Sequence, residues 1–210
     1  MFINKITTME ELRSLYGQPG KVSLAKERPA MDQNAQAFVG LSPFVLIATA
    51  DSEGRCDVSP KGDKPGFVRV IDEKHLLIPD RPGNNRLDSL ANLIANPRIG
   101  LLFLIPGRGD TLRVNGKAWI VSDDDLLEIL AVDGKRPRTA IGVEAAEVYL
   151  HCPKAFMRSG LWNPQAWPPE HQLPGMCEML WNQLPEKPDG VADLGEYEAG
   201  MRERLEKTLY

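Results

Sequence analysis

Residues 76–97 read LLIPDRPGNNRLDSLANLIANP. An apolar, strand-like run from Leu76 to Ile78 breaks at Pro79 into a turn of Asp80, Arg81, Pro82, Gly83, Asn84 and Asn85. Leu87, Leu90, Leu93 and Ile94 then recur at helical spacing, which predicts a helix from Asn85 to Asn96 with one buried face and Asn84 or Asn85 as its cap. Asn96-Pro97 stops it, because proline pushes the preceding residue out of helical geometry. Arg86 falls in the expected first turn, beside backbone N–H groups that have no helical acceptor. A cation there opposes the helix dipole, and a bound dianion reverses that cost. The stretch reads either as a phosphate site or as turn chemistry with two solvated arginines.

Around it, the chain alternates short apolar runs with polar turns. Phe44–Ala50 is β-rich and ends in the turn Asp51-Ser52-Glu53-Gly54, with Arg55–Pro60 as a hairpin partner. Phe67–Ile71 and His75–Ile78 form a second pair across Asp72-Glu73-Lys74. Ile99–Ile105 and Thr111–Val121 form a third across Pro106–Asp110, and a further strand runs from about Thr139 to Leu150. Six or seven strands in hairpin order with one inserted helix predict an antiparallel barrel, since a parallel sheet needs a crossover helix between most strands. The fold class expected is therefore mainly β (α+β): an antiparallel split β-barrel with peripheral helices.

Helices are expected from the capping box at Thr8-Met9-Glu10-Glu11 to Gly17, over Ser23–Arg28 and over Asp32–Val39. Another is expected after Ser122-Asp123-Asp124-Asp125, where three acids suit a helix start better than a metal cluster. Residues 1–160 then form the barrel with its N-terminal helices. Residues 161–210, Pro- and Trp-rich, form a helical C-terminal appendage with helices over Gly175–Leu184 and Leu194–Leu209, the latter capped by Asp193 and Glu196.

The chain has 210 residues, 42% of them apolar, with 25 Lys and Arg against 29 Asp and Glu, a net charge of −4. That balance disfavours a dedicated nucleic-acid binder but leaves room for a local basic pocket. No apolar run approaches the ~18 residues of a membrane span, and residues 1–15 lack the pattern of a signal peptide. A cytoplasmic location is expected. Cys56, Cys152 and Cys177 form no CxxC pair, and His75, His151 and His171 have no ligand spacing, so no metal site is expected.

Taken together, CDVSPKG (56–62), LLIPDRPGNNRLDSLANLIANPRIGLLFLIPG (76–107) and TLRVNGKA (111–118) resemble the pyridoxamine 5′-phosphate oxidase-like, FMN-binding split-barrel superfamily. The resemblance covers roughly residues 35–160. It implies a homodimer with FMN in grooves between subunits, the ring lying against strand backbone. It also implies a cofactor-binding set of Asp57, Val58, Ser59, Pro60, Lys61, Ile78, Pro79, Asn85, Arg86, Thr111 and Arg113. Where the true oxidases grip the phosphate with Ser-Arg-Lys, this chain carries Asn84-Asn85-Arg86, so one cation is lost, and Lys61 and Arg81 are the candidates to replace it. Thr111 stands in place of the family's Gln, while Arg113 is kept. The Arg-Leu-x-Pro-type signature that helps hold pyridoxal phosphate is not visible, which counts against B6 oxidation.

The residues agree with a flavin on chemical grounds. FMN needs about two negative charges matched at its phosphate, which Arg does bidentately, and donors near N1, O2 and N5. Lys61 suits N1 and O2, and Ser59 suits N5 or O4. Lys154, Arg158 and Trp162 are candidates for holding a small-molecule substrate, with surface charge and packing as the alternative. Cys152 is read as a buried thiol, with a redox thiol beside His151 as base as the alternative, and the run Lys135–Arg138 as a solvated loop or a rim that guides an anion. The function expected is that of an FMN-dependent oxidoreductase passing electrons through flavin N5, with no catalytic side chain named. An electron carrier without its own substrate, or a relative holding deazaflavin F420 or haem (with His151 as axial ligand), remains open.

Overall fold

Thr8 caps α1 (Met9–Tyr16) reciprocally, its hydroxyl accepting from the Glu11 amide while Glu11 accepts from the Thr8 amide, and Gly17 ends it at φ 69°. These bonds satisfy amides that have no partner inside the helix. α2 (Lys21–Ala25) starts two residues and ends three residues earlier than expected, and Arg28, placed in the helix by the sequence, forms an isolated bridge with Val148 instead. α3 (Gln33–Leu41), capped by Asp32, buries Ala35, Phe38 and Val39.

The strands are β1 (Phe44–Ala50), β2 (Cys56–Gly62), β3 (Arg69–Val70) and β4 (His75–Pro79), then β5 (Arg98–Leu104), β6 (Thr111–Val121) and β7 (Ala140–His151). α4 (Asp88–Ala95) is inserted between β4 and β5, and α5 (Asp124–Glu128) between β6 and β7. The computed structural model describes residues 1–169 and 172–210, and in it all seven strands pair antiparallel in the order β2-β1-β5-β6-β7-β4-β3.

That order explains α4. The chain leaves β2 at one edge, builds β3 and β4 at the other, and must return to lay β5 against β1. α4 makes the return, packing on β1, β2 and β6. The two ends of the sheet share no backbone ladder, yet their side chains meet: Lys61 of β2 pairs with Asp80, just past β4, at 3.0 Å, and Asp63 pairs with Arg81 at 2.9 Å. The sheet thus curls into a barrel split along one seam. Inside, Val45, Ile47, Leu76, Ile78, Leu101, Phe103, Val114 and Ile141 join one buried cluster with Phe38, Leu90 and Leu93. Each fully buried side chain of this size contributes about 1.5–3 kcal/mol.

β6 and β7 shift register at Asn115/Gly116, a bulge that adds twist where the sheet must curl. Beyond β7 come α6 (Lys154–Ser159), with Pro153 at its cap, then α7 (Met176–Gln183) and α8 (Leu194–Lys207). Asp193 caps α8 as expected, and Glu196 accepts from the Ala192 amide. Among the described residues no helix is long and apolar enough to cross a membrane.

Candidate functional site

β2 is an edge strand with alternating exposure, so Asp57, Ser59 and Lys61 turn half-buried toward α4 while Val58 (61% exposed) and Pro60 face outward. Ser89, buried in the first turn of α4, donates to Asp57 Oδ2 at 2.6 Å; Ser59 donates to the same oxygen at 3.0 Å. The triangle fixes the start of α4 against β2.

The loop between β4 and α4 departs from the sequence expectation. The helix begins at Asp88, not Asn85, and its cap position is Leu87, in the left-handed region at φ 61°. Asn85 is left-handed too, at φ 57°. Asn84 accepts from the Arg86 amide at 3.0 Å, and Arg86 pairs with Asp88 at 2.8 Å, so Arg86 sits before the helix rather than in its first turn. This local turn chemistry outcompetes helix extension. Leu87 and Ile94, assigned to the buried stripe, are 52% and 79% exposed, whereas Leu90 and Leu93 are buried. Leucine in a left-handed conformation costs about 1–2 kcal/mol, a strain placed at the lip of the main cavity.

That cavity, about 430 Å³, is lined on one side by Ser59, Lys61 and the loop from Asp80 to Leu90. On the other side stand Lys135–Arg138, with Arg204, Thr208 and Tyr210. Seven Lys and Arg line it against two carboxylates, Asp80 and Asp88, so it favours an anion. Asp88, Ser89 and Leu90 line it, and their amides have no helical acceptor, since the Ala91 amide is the first to reach one, Leu87 O.

The cations differ in freedom. Arg86 and Asp88 are both well exposed, and such pairs are easily exchanged for a better anion. Hydrogen bonding to Asp88, then its charge and that of Asp57, holds the Arg86 pKa above its ordinary value. Arg81 is committed: its partner Asp63 has a side chain only 2% exposed. Burial pushes Asp63 up, but bonds from Tyr210, the Lys64 amide and Arg81 outweigh it and hold the carboxyl below its usual range.

Of the residues expected to bind a cofactor, Ser59, Lys61, Asn85 and Arg86 line the cavity. Asp57 lies just behind it through Ser89, and Ile78 and Pro79 are buried at the end of β4. Thr111 and Arg113 are not brought there: Thr111 is buried at the start of β6, and Arg113 donates to Tyr149 Oη at 3.0 Å. Lys154, Arg158 and Trp162 also lie outside it. Trp162 donates to Arg108 O at 2.6 Å and stacks on Phe156.

Cys152, expected to be buried, is exposed. The Lys154 amide, with the charges of Lys154 and Lys26, holds its thiol below the ordinary pKa. His151, its neighbour, is held low by burial, then by Arg113 and Lys26, and its Nε2 is buried without a partner. His171 lies outside the described residues; among those described, no group of three or more His, Cys, Asp or Glu could hold a metal ion. Asp63, Asp80, Ser89, Arg204, Thr208 and Tyr210 join the site without having been expected there. Ser89 had a local signal in its place at a helix start, while the others meet the site only through the folded chain.

The sequence model of the family described as pyridoxamine 5′-phosphate oxidase matches residues 31–152. No curated protein matches the chain. Among solved structures, HupZ of Group A Streptococcus is 17% identical over 56% of this chain and 91% of its own, with a TM-score of 0.46. An FMN-binding protein from Syntrophomonas wolfei subsp. wolfei is 9% identical over 68% and 95%, at 0.43. HutZ, the haem storage protein of Vibrio cholerae, is 15% identical over 58% and 94%, at 0.41.

Proposed function

Because the chain belongs to the pyridoxamine 5′-phosphate oxidase family, we propose that it binds FMN in the cation-lined cavity and acts as an FMN-dependent oxidoreductase on a small molecule. The observation that carries this is the convergence of Lys61, Arg86 and the free amides of α4 on one cavity of about 430 Å³. Arg86, tied only to an exposed carboxylate, turns to the phosphate. Lys61 leans on Asp80 and keeps its remaining donors for the ring edge. Ser59 and Ser89 offer hydroxyls to the polar chain between phosphate and ring.

Bound there, the flavin supplies hydride and electron chemistry at N5. The protein's part is to orient it, exclude water and set its potential through charges near N1 and O2. Thr111 and Arg113 lie away from the cavity in one protomer, so this reading has a second copy supply them in a homodimer. Lys154, Arg158 and Trp162 belong to the substrate side on the same terms.

A second reading, in which His151 would hold a haem, rests on the buried, unpartnered Nε2 of that residue. The absorption spectrum of the purified protein decides between them. Flavin's twin bands, retained on the protein after desalting, are the expected result. A Soret band favours haem, and a colourless protein that takes up neither group removes both readings.

A further inference from the structure

We propose that the segment Arg204–Tyr210 is the closing strap of the cavity, fastened at Tyr210 and carrying Arg204 in as a contact for the bound anion. The inference rests on the reading of that cavity as a cofactor site, and the segment lies outside the part of the chain that the family model matches.

α8 fully buries none of its side chains and packs chiefly on α7. Nothing in that packing requires the residues beyond it to return to the barrel, yet they do. Tyr210 Oη donates to Asp63 Oδ1 at 2.7 Å, across 147 positions of sequence. Its ring lies under the Arg81 guanidinium, 5.6 Å from charge to centroid, and its backbone oxygen accepts from Lys135 at 3.3 Å. The receiving carboxylate is built for the purpose. It is almost wholly buried and also takes the Lys64 amide at 2.7 Å and Arg81 Nε at 2.9 Å. A buried carboxylate is costly to leave short of donors, so Tyr210 satisfies a need that β2 and β4 create. The same bond, then burial, holds the Tyr210 phenol above its ordinary pKa.

Arg204 gives the strap a purpose beyond anchorage. It lines the cavity, and among the described residues its guanidinium has no carboxylate partner, unlike Lys61 and Arg86. A free guanidinium facing other cations is repelled until an anion enters between them. Arg204 therefore gains from ligand binding, and fastening Tyr210 holds it where it can gain.

The test uses FMN as the probe on the full chain, on Arg204→Ala, on Tyr210→Phe and on a chain ending at Glu203. Flavin fluorescence quenching gives the dissociation constant and the release rate. Hydrogen exchange of residues 204–210 is read without ligand. Arg204→Ala is expected to weaken FMN by about 10-fold at unchanged barrel melting. Tyr210→Phe is expected to speed release several-fold, to lower protection over 204–208 and, by leaving Asp63 short of a donor, to lower barrel melting. If the full chain binds FMN and the shortened chain binds and releases it identically, the strap is overturned. If the full chain binds no FMN, the cofactor reading fails. Exchange then judges the strap alone: protection lost on Tyr210→Phe supports it, and absence of protection in the full chain overturns it.

Discussion

Ser89 Oγ lies 2.6 Å from Asp57 Oδ2, and through that bond the first turn of α4 is tied to the edge strand β2. Ser59 donates to the same oxygen, so the carboxylate has two hydroxyl donors on the cavity floor. Ser89 is buried, and hydrogen bonds to charged groups contribute about 1.5–3 kcal/mol. Ser89→Ala should therefore destabilise the barrel by roughly 1–3 kcal/mol in urea unfolding, while Ser89→Thr, which keeps the hydroxyl, loses less. Equal losses for the two variants would show that the hydroxyl is not what matters.

Arg86 and Lys61 should divide the work at the anion. Arg86 is exposed and held by one replaceable carboxylate, so Arg86→Ala should weaken FMN by about 10-fold or more without lowering the melting temperature. Lys61→Ala removes ring-edge charge and frees Asp80, so it should also shift the flavin reduction potential downward. Binding should weaken with added salt. Titration at two ionic strengths checks the first claim and spectroelectrochemistry the second. Unchanged affinity in the double variant would exclude this cavity as the phosphate site.

How much of this was legible in the sequence follows from distance along the chain. β1 and β6 run over the residues expected, because the turns at Asp51–Gly54 and Pro106–Asp110 are written locally: Asp51 alone accepts from the amides of Glu53 and Arg55. α4 starts three residues later than its apolar stripe predicts. The Leu/Ile stripe promised an earlier start, while the Asn84 turn and the Arg86–Asp88 pair held Leu87 in a left-handed conformation. The basic run Lys135–Arg138 looked as much like a solvated loop as a rim, and only its place opposite the α4 loop puts it on the cavity wall. Nothing in either local segment announces that Tyr210 meets Asp63.

Two glycine substitutions should separate close approach from plain flexibility. At Gly116, in the β6–β7 bulge, an added Cβ would run into the Glu144 carbonyl, which is backbone and cannot swing aside. Gly116→Ala should cost about 3 kcal/mol or more, or prevent folding. At Gly40, within α3, a Cβ meets nothing within 4 Å and the backbone is not left-handed. Gly40→Ala should stabilise by about 0.5–1 kcal/mol. Chemical denaturation of both variants checks the pair, and the same sign for both would contradict the packing described.

His151 should give the fold a pH-dependent component near neutrality. Burial first, then Arg113 and Lys26, depress its pKa, and the Tyr149 ring 5.2 Å away adds no carboxylate to offset them. The unfolded chain takes up this proton near pH 6.5, the ordinary value for histidine, to within about a unit. The folded chain takes it up only at lower pH. Between those two points the unfolded state binds more protons, so stability is complete above about pH 7 and falls as the pH drops toward the folded value. His151→Phe removes the titrating group and keeps an aromatic ring beside Tyr149, so its stability should be flatter between about pH 5 and 7. Urea midpoints for the native chain and for His151→Phe across that range measure the difference. Parallel curves would mean that His151 titrates alike in the folded and unfolded chains, and that its buried Nε2 has a donor or acceptor in solution.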